Sequence, residues 1–79
     1  MDADSPSALR EELRAVEEEL ARLRESAADL RRRIGDRWEE PTDSVERATL
    51  ITQAEEQEAF IEVLERRRED LLRRLGEHR

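Results

Sequence analysis

Between Leu9 and Ile34 the apolar residues Leu9, Leu13, Val16, Leu20, Leu23, Ala27, Leu30 and Ile34 are spaced four and three apart in strict alternation, with only Ala15, Ala21 and Ala28 off the run. This is a 3.5-residue period, narrower than the stripe of an ordinary globular helix. Such a seam calls for a second helix wound around it in a left-handed supercoil. The chain supplies one: Leu50, Ala54, Gln57, Ile61, Leu64, Arg68, Leu71 and Leu75 repeat the spacing. Folded back, Ile34 meets Leu50, Leu30 meets Ala54, Ala27 meets Gln57 and Leu23 meets Ile61. Leu20 then meets Leu64, Val16 meets Arg68, Leu13 meets Leu71 and Leu9 meets Leu75. Every pair of residue numbers adds to 84, so the layers share one register with its turn near position 42. A slip of one heptad preserves the pattern, so the hairpin is specified more firmly than its register. The expected fold is all-α: a two-helix antiparallel coiled-coil hairpin that can dimerise into a four-helix bundle.

The punctuation of the chain fits a single hairpin over residues 1–79. Ser5-Pro6 is a helix start, with a hydroxyl to accept a free backbone N–H and a proline preset for the first turn. Helix 1 is expected over about 6–34, ended by Gly35 in a left-handed cap. A tip follows over about 35–42, with Pro41 interrupting any helix. Asp43 to Glu46 has the spacing of a capping box, so helix 2 is expected over about 44–75 with Gly76 as its stop. His78 lies in the tail, where it is a solvated side chain.

Two seam positions are polar. Gln57 sits in a layer with Ala27, and Arg68 faces Val16, where its stem packs and its head reaches Glu17 or a nearby acid. A polar seam residue costs stability and narrows the choice of register. The 84 register also places Arg66 and Arg67 opposite Glu18 and Glu17, Arg73 opposite Glu11, and Glu62 opposite Arg22.

Composition narrows the function classes. Charged residues are 47 % and hydrophobic ones 35 %, the mix of a coiled coil rather than of a globular core. The net charge of -7 and the lack of any lysine argue against direct nucleic-acid binding, which needs a clustered basic face. Arg31, Arg32 and Arg33 instead complement the dipole at the end of helix 1. There is no cysteine, hence no disulfide, thiolate nucleophile or Cys-ligated zinc. No apolar run approaches the ~20 residues of a membrane span. The acidic start Met1-Asp2-Ala3-Asp4 lacks signal-peptide character, so a cytoplasmic location is expected. The loop carboxylates Glu39, Glu40 and Asp43 do not specify a metal ion, and no cofactor is expected. A helical enzyme of the chorismate mutase kind would need Arg and Lys converging on a dicarboxylate. Leu9-Arg10 and Arg47 match that pattern only vaguely, and the expectation is a non-enzyme.

Two surfaces remain as candidates for protein interaction. Helix 2 carries apolar residues off its seam: Val45, Ala48, Ile51, Phe60, Val63 and Leu72. A two-helix core is small for stability on its own, so Ile51, Phe60, Val63 and Leu72 are read as an oligomer or partner face, most simply that of a homodimer. The second surface is the tip, with Trp38, Glu39, Glu40, Asp43 and Val45. There the chain's one tryptophan either caps the hairpin over Pro41 and Ile34 or anchors a partner.

The run Trp38-Glu39-Glu40-Pro41-Thr42-Asp43-Ser44-Val45 resembles the coiled-coil tip of the DksA/TraR transcription factors. Those proteins carry an Asp-x-x-Asp-x-Ala motif between two long antiparallel helices, just after an aromatic residue. The matching positions here are Glu40, Asp43 and Val45, with Trp38 as the aromatic. The Gre cleavage factors use a similar acidic hairpin tip. The resemblance implies a bacterial transcription regulator: a rod that enters the secondary channel of RNA polymerase, with Asp43 near the active centre. The four-cysteine zinc module of that family has no counterpart in this cysteine-free chain. The alternative expectation is a homo-oligomeric structural or adaptor coiled coil acting through the apolar face of helix 2.

Overall fold

The computed structural model describes residues 5–36 and 44–77. It holds two helices, α1 (Pro6–Asp36) and α2 (Ser44–Glu77), packed antiparallel as a rod measuring 57 × 17 × 15 Å. The fold is therefore an all-α helical hairpin. Its length follows from ~1.5 Å of rise per helical residue.

α1 begins as its sequence dictates. The Ser5 hydroxyl oxygen accepts from the Ala8 amide at 3.2 Å, and the Ser5 carbonyl accepts from the Leu9 amide at 2.9 Å. Pro6 occupies the first helical position, where its missing N–H is not needed. The far ends differ from expectation. α1 runs through Gly35 to Asp36, and α2 through Gly76 to Glu77. Neither glycine has a positive φ, and a Cβ at either would meet nothing within 4 Å. Both therefore continue a helix on an open surface, where glycine costs ~1 kcal/mol relative to alanine but blocks nothing.

All sixteen seam positions are buried or half-buried. The largest fully buried side chains are Leu9, Leu20 and Leu71. With Val16 they form the main core, and Leu13, Ile61, Leu64 and Leu75 pack against it. Every member lies in the half of the rod nearer the two termini. Towards the connection the buried residues are Ala27, Leu30 and Ala54, a thinner filling in which two of the three are alanines.

The ion pairs across the rod fix the register. In heptad letters Leu9 and Leu50 open their seams at position d, with Leu13 and Ala54 next at position a. In an antiparallel coiled coil, position e flanks e and position g flanks g on opposite sides of the seam. For layers that add to 84, e pairs add to 89 and g pairs to 79. Arg31 grips Glu58 with both ends of its guanidinium fork, Nε to Oε2 at 2.9 Å, and Arg24 reaches Glu65 at 3.4 Å. These two are e pairs. Arg67 Nε donates to Glu12 Oε1 at 2.9 Å, a g pair. The unslipped register is the one the chain adopts.

The same geometry corrects the charge pairing expected from sequence. Glu11, Glu18, Arg66 and Arg73 all fall at position f, on the outer backs of the two helices, where they cannot meet. Glu62 and Arg22 also lie outside the flanks. Arg22 pairs instead with Glu19, and Arg73 with Asp70, each within its own helix. Glu17 is taken by Arg68 rather than by Arg67.

Candidate interaction surfaces

Of the tip residues, Trp38, Glu39, Glu40 and Asp43 lie outside the described residues. Val45 is described: it stands one residue into α2, 69 % exposed. It borders a shallow open groove on the outer face of α2, lined also by Ser44, Ala48, Thr49 and Thr52. The Thr49 hydroxyl is spent within the helix, donating to the Val45 carbonyl at 2.9 Å.

The four residues read as one apolar face do not share a face. Phe60 lies at position g and Val63 at c, three residues on, so they are neighbours on one flank. Ile51 and Leu72 are both at position e, about 150° round the helix on the opposite flank. Phe60 is 47 % exposed, Val63 49 % and Leu72 42 %, while Ile51 is half-buried. Helix 2 thus offers a compact Phe60–Val63 patch and, on its other side, isolated apolar residues. The signal for this split is the heptad position of each residue, which spacing alone determines.

The polar seam positions behave differently from each other. Arg68 Nε donates to Glu17 Oε2 at 3.2 Å, so the seam arginine turns its charge outward to the flank. Gln57 finds no such partner: its Oε1 is buried and accepts no hydrogen bond. That orphan faces the Ala27 layer, and it is a cost built into the middle of the rod.

Electrostatics follow the same pattern of local pairing. Hydrogen bonding from Arg31 holds the Glu58 carboxyl below its ordinary range, and the Arg31 guanidinium is raised in turn. Arg22 is raised by its hydrogen bond to Glu19. The arginine triplet at the end of α1 is engaged within the protein, Arg31 with Glu58 and both Arg32 and Arg33 with Asp29. A network joins Glu12, Arg67, Asp70, Arg73 and Arg74. The sequence reading paired helix with helix by number, and so missed both the flank pair to Glu12 and the pairs that Asp70 makes three and four residues along its own helix.

Among the described residues no cluster of three or more His, Asp or Glu side chains is placed to hold a metal ion. No helix among them is long and apolar enough to cross a membrane. Set against known protein families, curated protein sequences and solved structures, the chain matches none.

Proposed function

We propose that the chain is a non-catalytic protein-interaction module of the cytoplasm, and in its sharpest form a bacterial regulator that contacts RNA polymerase through the end of its hairpin. The observation that supports this reading is the shape: a 57 Å rod only 15–17 Å across, with the acidic and aromatic segment 37–43 joining its two helices. A narrow rod suits a deep channel, and Trp38 and Asp43 supply an apolar anchor and a carboxylate at the joined end. The test is binding of the purified full chain to purified bacterial RNA polymerase. Wild type is expected to bind, and the Trp38→Ala/Asp43→Ala double variant to lose binding at least tenfold while keeping its helicity and melting temperature. No binding by wild type removes the polymerase reading. A double variant that melts well below wild type assigns Trp38 to capping instead.

A second reading is supported by the half-exposed Phe60 and Val63 at the middle of α2. It is self-association, the rod acting as a homo-oligomeric structural or adaptor coiled coil.

A further inference from the structure

The exposed Phe60–Val63 patch lies at the centre of a second seam. Positions g and c of α2 recur at alternating steps of four and three, about 100° round the helix from the seam that holds the hairpin. Through its middle this stripe reads Gln53, Glu56, Phe60, Val63, Arg67 and Asp70. Its order is acid, apolar, apolar, base, which is self-complementary when reversed. We propose that a second copy of this chain docks here, α2 against α2, antiparallel about a two-fold axis passing between Phe60 and Val63; this specifies the self-association reading above and rests on it.

Three observations converge on that geometry. First, the axis brings Phe60 of each copy onto Val63 of the other, covering the two half-exposed side chains that share a flank. Second, it places Glu56 of each copy opposite Arg67 of the other, and Gln53 opposite Asp70. A parallel pairing would set Glu56 against Glu56 and Arg67 against Arg67. Isologous contacts of this kind close as a dimer instead of growing into a fibre. Third, the axis crosses α2 within one residue of the midpoint of Ser44–Glu77, so the two rods overlap along nearly their whole length. The stripe follows α2 for ~50 Å, at ~1.5 Å of rise for each of its 34 residues. Like charges meet only at the extremities of the stripe, where Glu46 faces Glu77. Arg67 already serves Glu12 and Asp70 of its own hairpin, and a guanidinium with five donors can serve a further carboxylate. Glu19 and Arg22, paired with each other, rim the patch from α1.

The experiment is sedimentation equilibrium on the full chain, wild type beside three variants. Wild type is expected as a dimer, and Phe60→Glu raises the dissociation constant at least 100-fold. Glu56→Arg sets arginine against arginine twice per dimer and weakens it about tenfold or more. Glu56→Arg/Arg67→Glu restores both attractions and returns within about threefold of wild type. Because that double variant gives up hairpin bonds to Glu12 and Asp70, orientation is read independently with Glu46→Cys and Glu77→Cys copies. A short bismaleimide is expected to couple the mixture and neither variant alone. A wild type that stays monomeric overturns both this dimer and the self-association reading. A dimer broken by Phe60→Glu but indifferent to Glu56→Arg, or Glu46→Cys copies that couple to themselves, overturns the antiparallel seam and leaves self-association standing.

Discussion

Leu71 and Leu72 are neighbours of identical chemistry with opposite surroundings. Leu71 is 0 % exposed in the cluster with Leu9, Val16 and Leu20, whereas Leu72 is 42 % exposed at a flank. Truncating a buried leucine to alanine costs about 2–5 kcal/mol, depending on how far the site collapses. A two-helix rod has solvent close on every side and can close part of the gap, which puts Leu71→Ala near 2.5 kcal/mol. For a chain of this size each kcal/mol moves the melting temperature by about 4–8 °C, so the fall is about 10–20 °C. Leu72→Ala removes apolar area that is already half wetted, below about 1 kcal/mol, and alanine returns a little through helix propensity. Its melting temperature falls by less than about 5 °C. The assay is helical circular dichroism followed through thermal unfolding, at two protein concentrations so that any dimer contributes visibly. Equal losses for the two variants, or a larger loss at Leu72, would refute the placement of the seam.

Two further outcomes follow from the same contacts. Gln57→Leu removes the orphaned carbonyl oxygen and fills the Ala27 layer, so it is expected to raise stability by about 1 kcal/mol; a lower melting temperature would show that Gln57 has a partner in solution. The lowered pKa of Glu58 means that its bond to Arg31 stabilises the fold above the ordinary carboxylate range and is lost as pH falls through the folded-state value. Wild type is therefore expected to out-melt Glu58→Gln at neutral pH and to converge with it in acid, whereas a gap independent of pH would deny the ion pair any role.

The hairpin was legible because one physical requirement, burial of a 3.5-period stripe, acts on every seventh residue twice. The register was only half legible, since a slip of one heptad keeps the layers apolar; the ion pairs Arg31–Glu58, Arg24–Glu65 and Arg67–Glu12 across the rod are what single out the unslipped pairing. Arg68 was readable for a similar reason: a long side chain with a charged end can leave an apolar layer without leaving the helix. The cross-helix ion pairs were misjudged because residues opposite in number are not neighbours in space once two helices are placed side by side. Arg73 and Glu11 share a layer yet stand back to back. The helix ends were misjudged because glycine permits a left-handed cap without requiring one, and at Gly35 and Gly76 nothing nearby forces it. The Phe60–Val63 patch was visible as surplus hydrophobicity, but its separation from Ile51 and Leu72 is a matter of angle around the helix, which counting apolar residues does not capture.

The uneven filling of the seam gives the rod a mechanical polarity. Leu9, Val16, Leu20 and Leu71 cluster in the half where α1 begins and α2 finishes. In the other half Leu30 is the one large buried side chain among the described residues, beside Ala27, Ala54 and the unsatisfied Gln57. Local opening is cheapest where least apolar surface is lost. The rod is therefore fastened most firmly in the half where α1 begins and α2 finishes. A load applied at the bend can part the nearby layers and be absorbed there, while the clasp at the other end keeps the two strands of the rod in step.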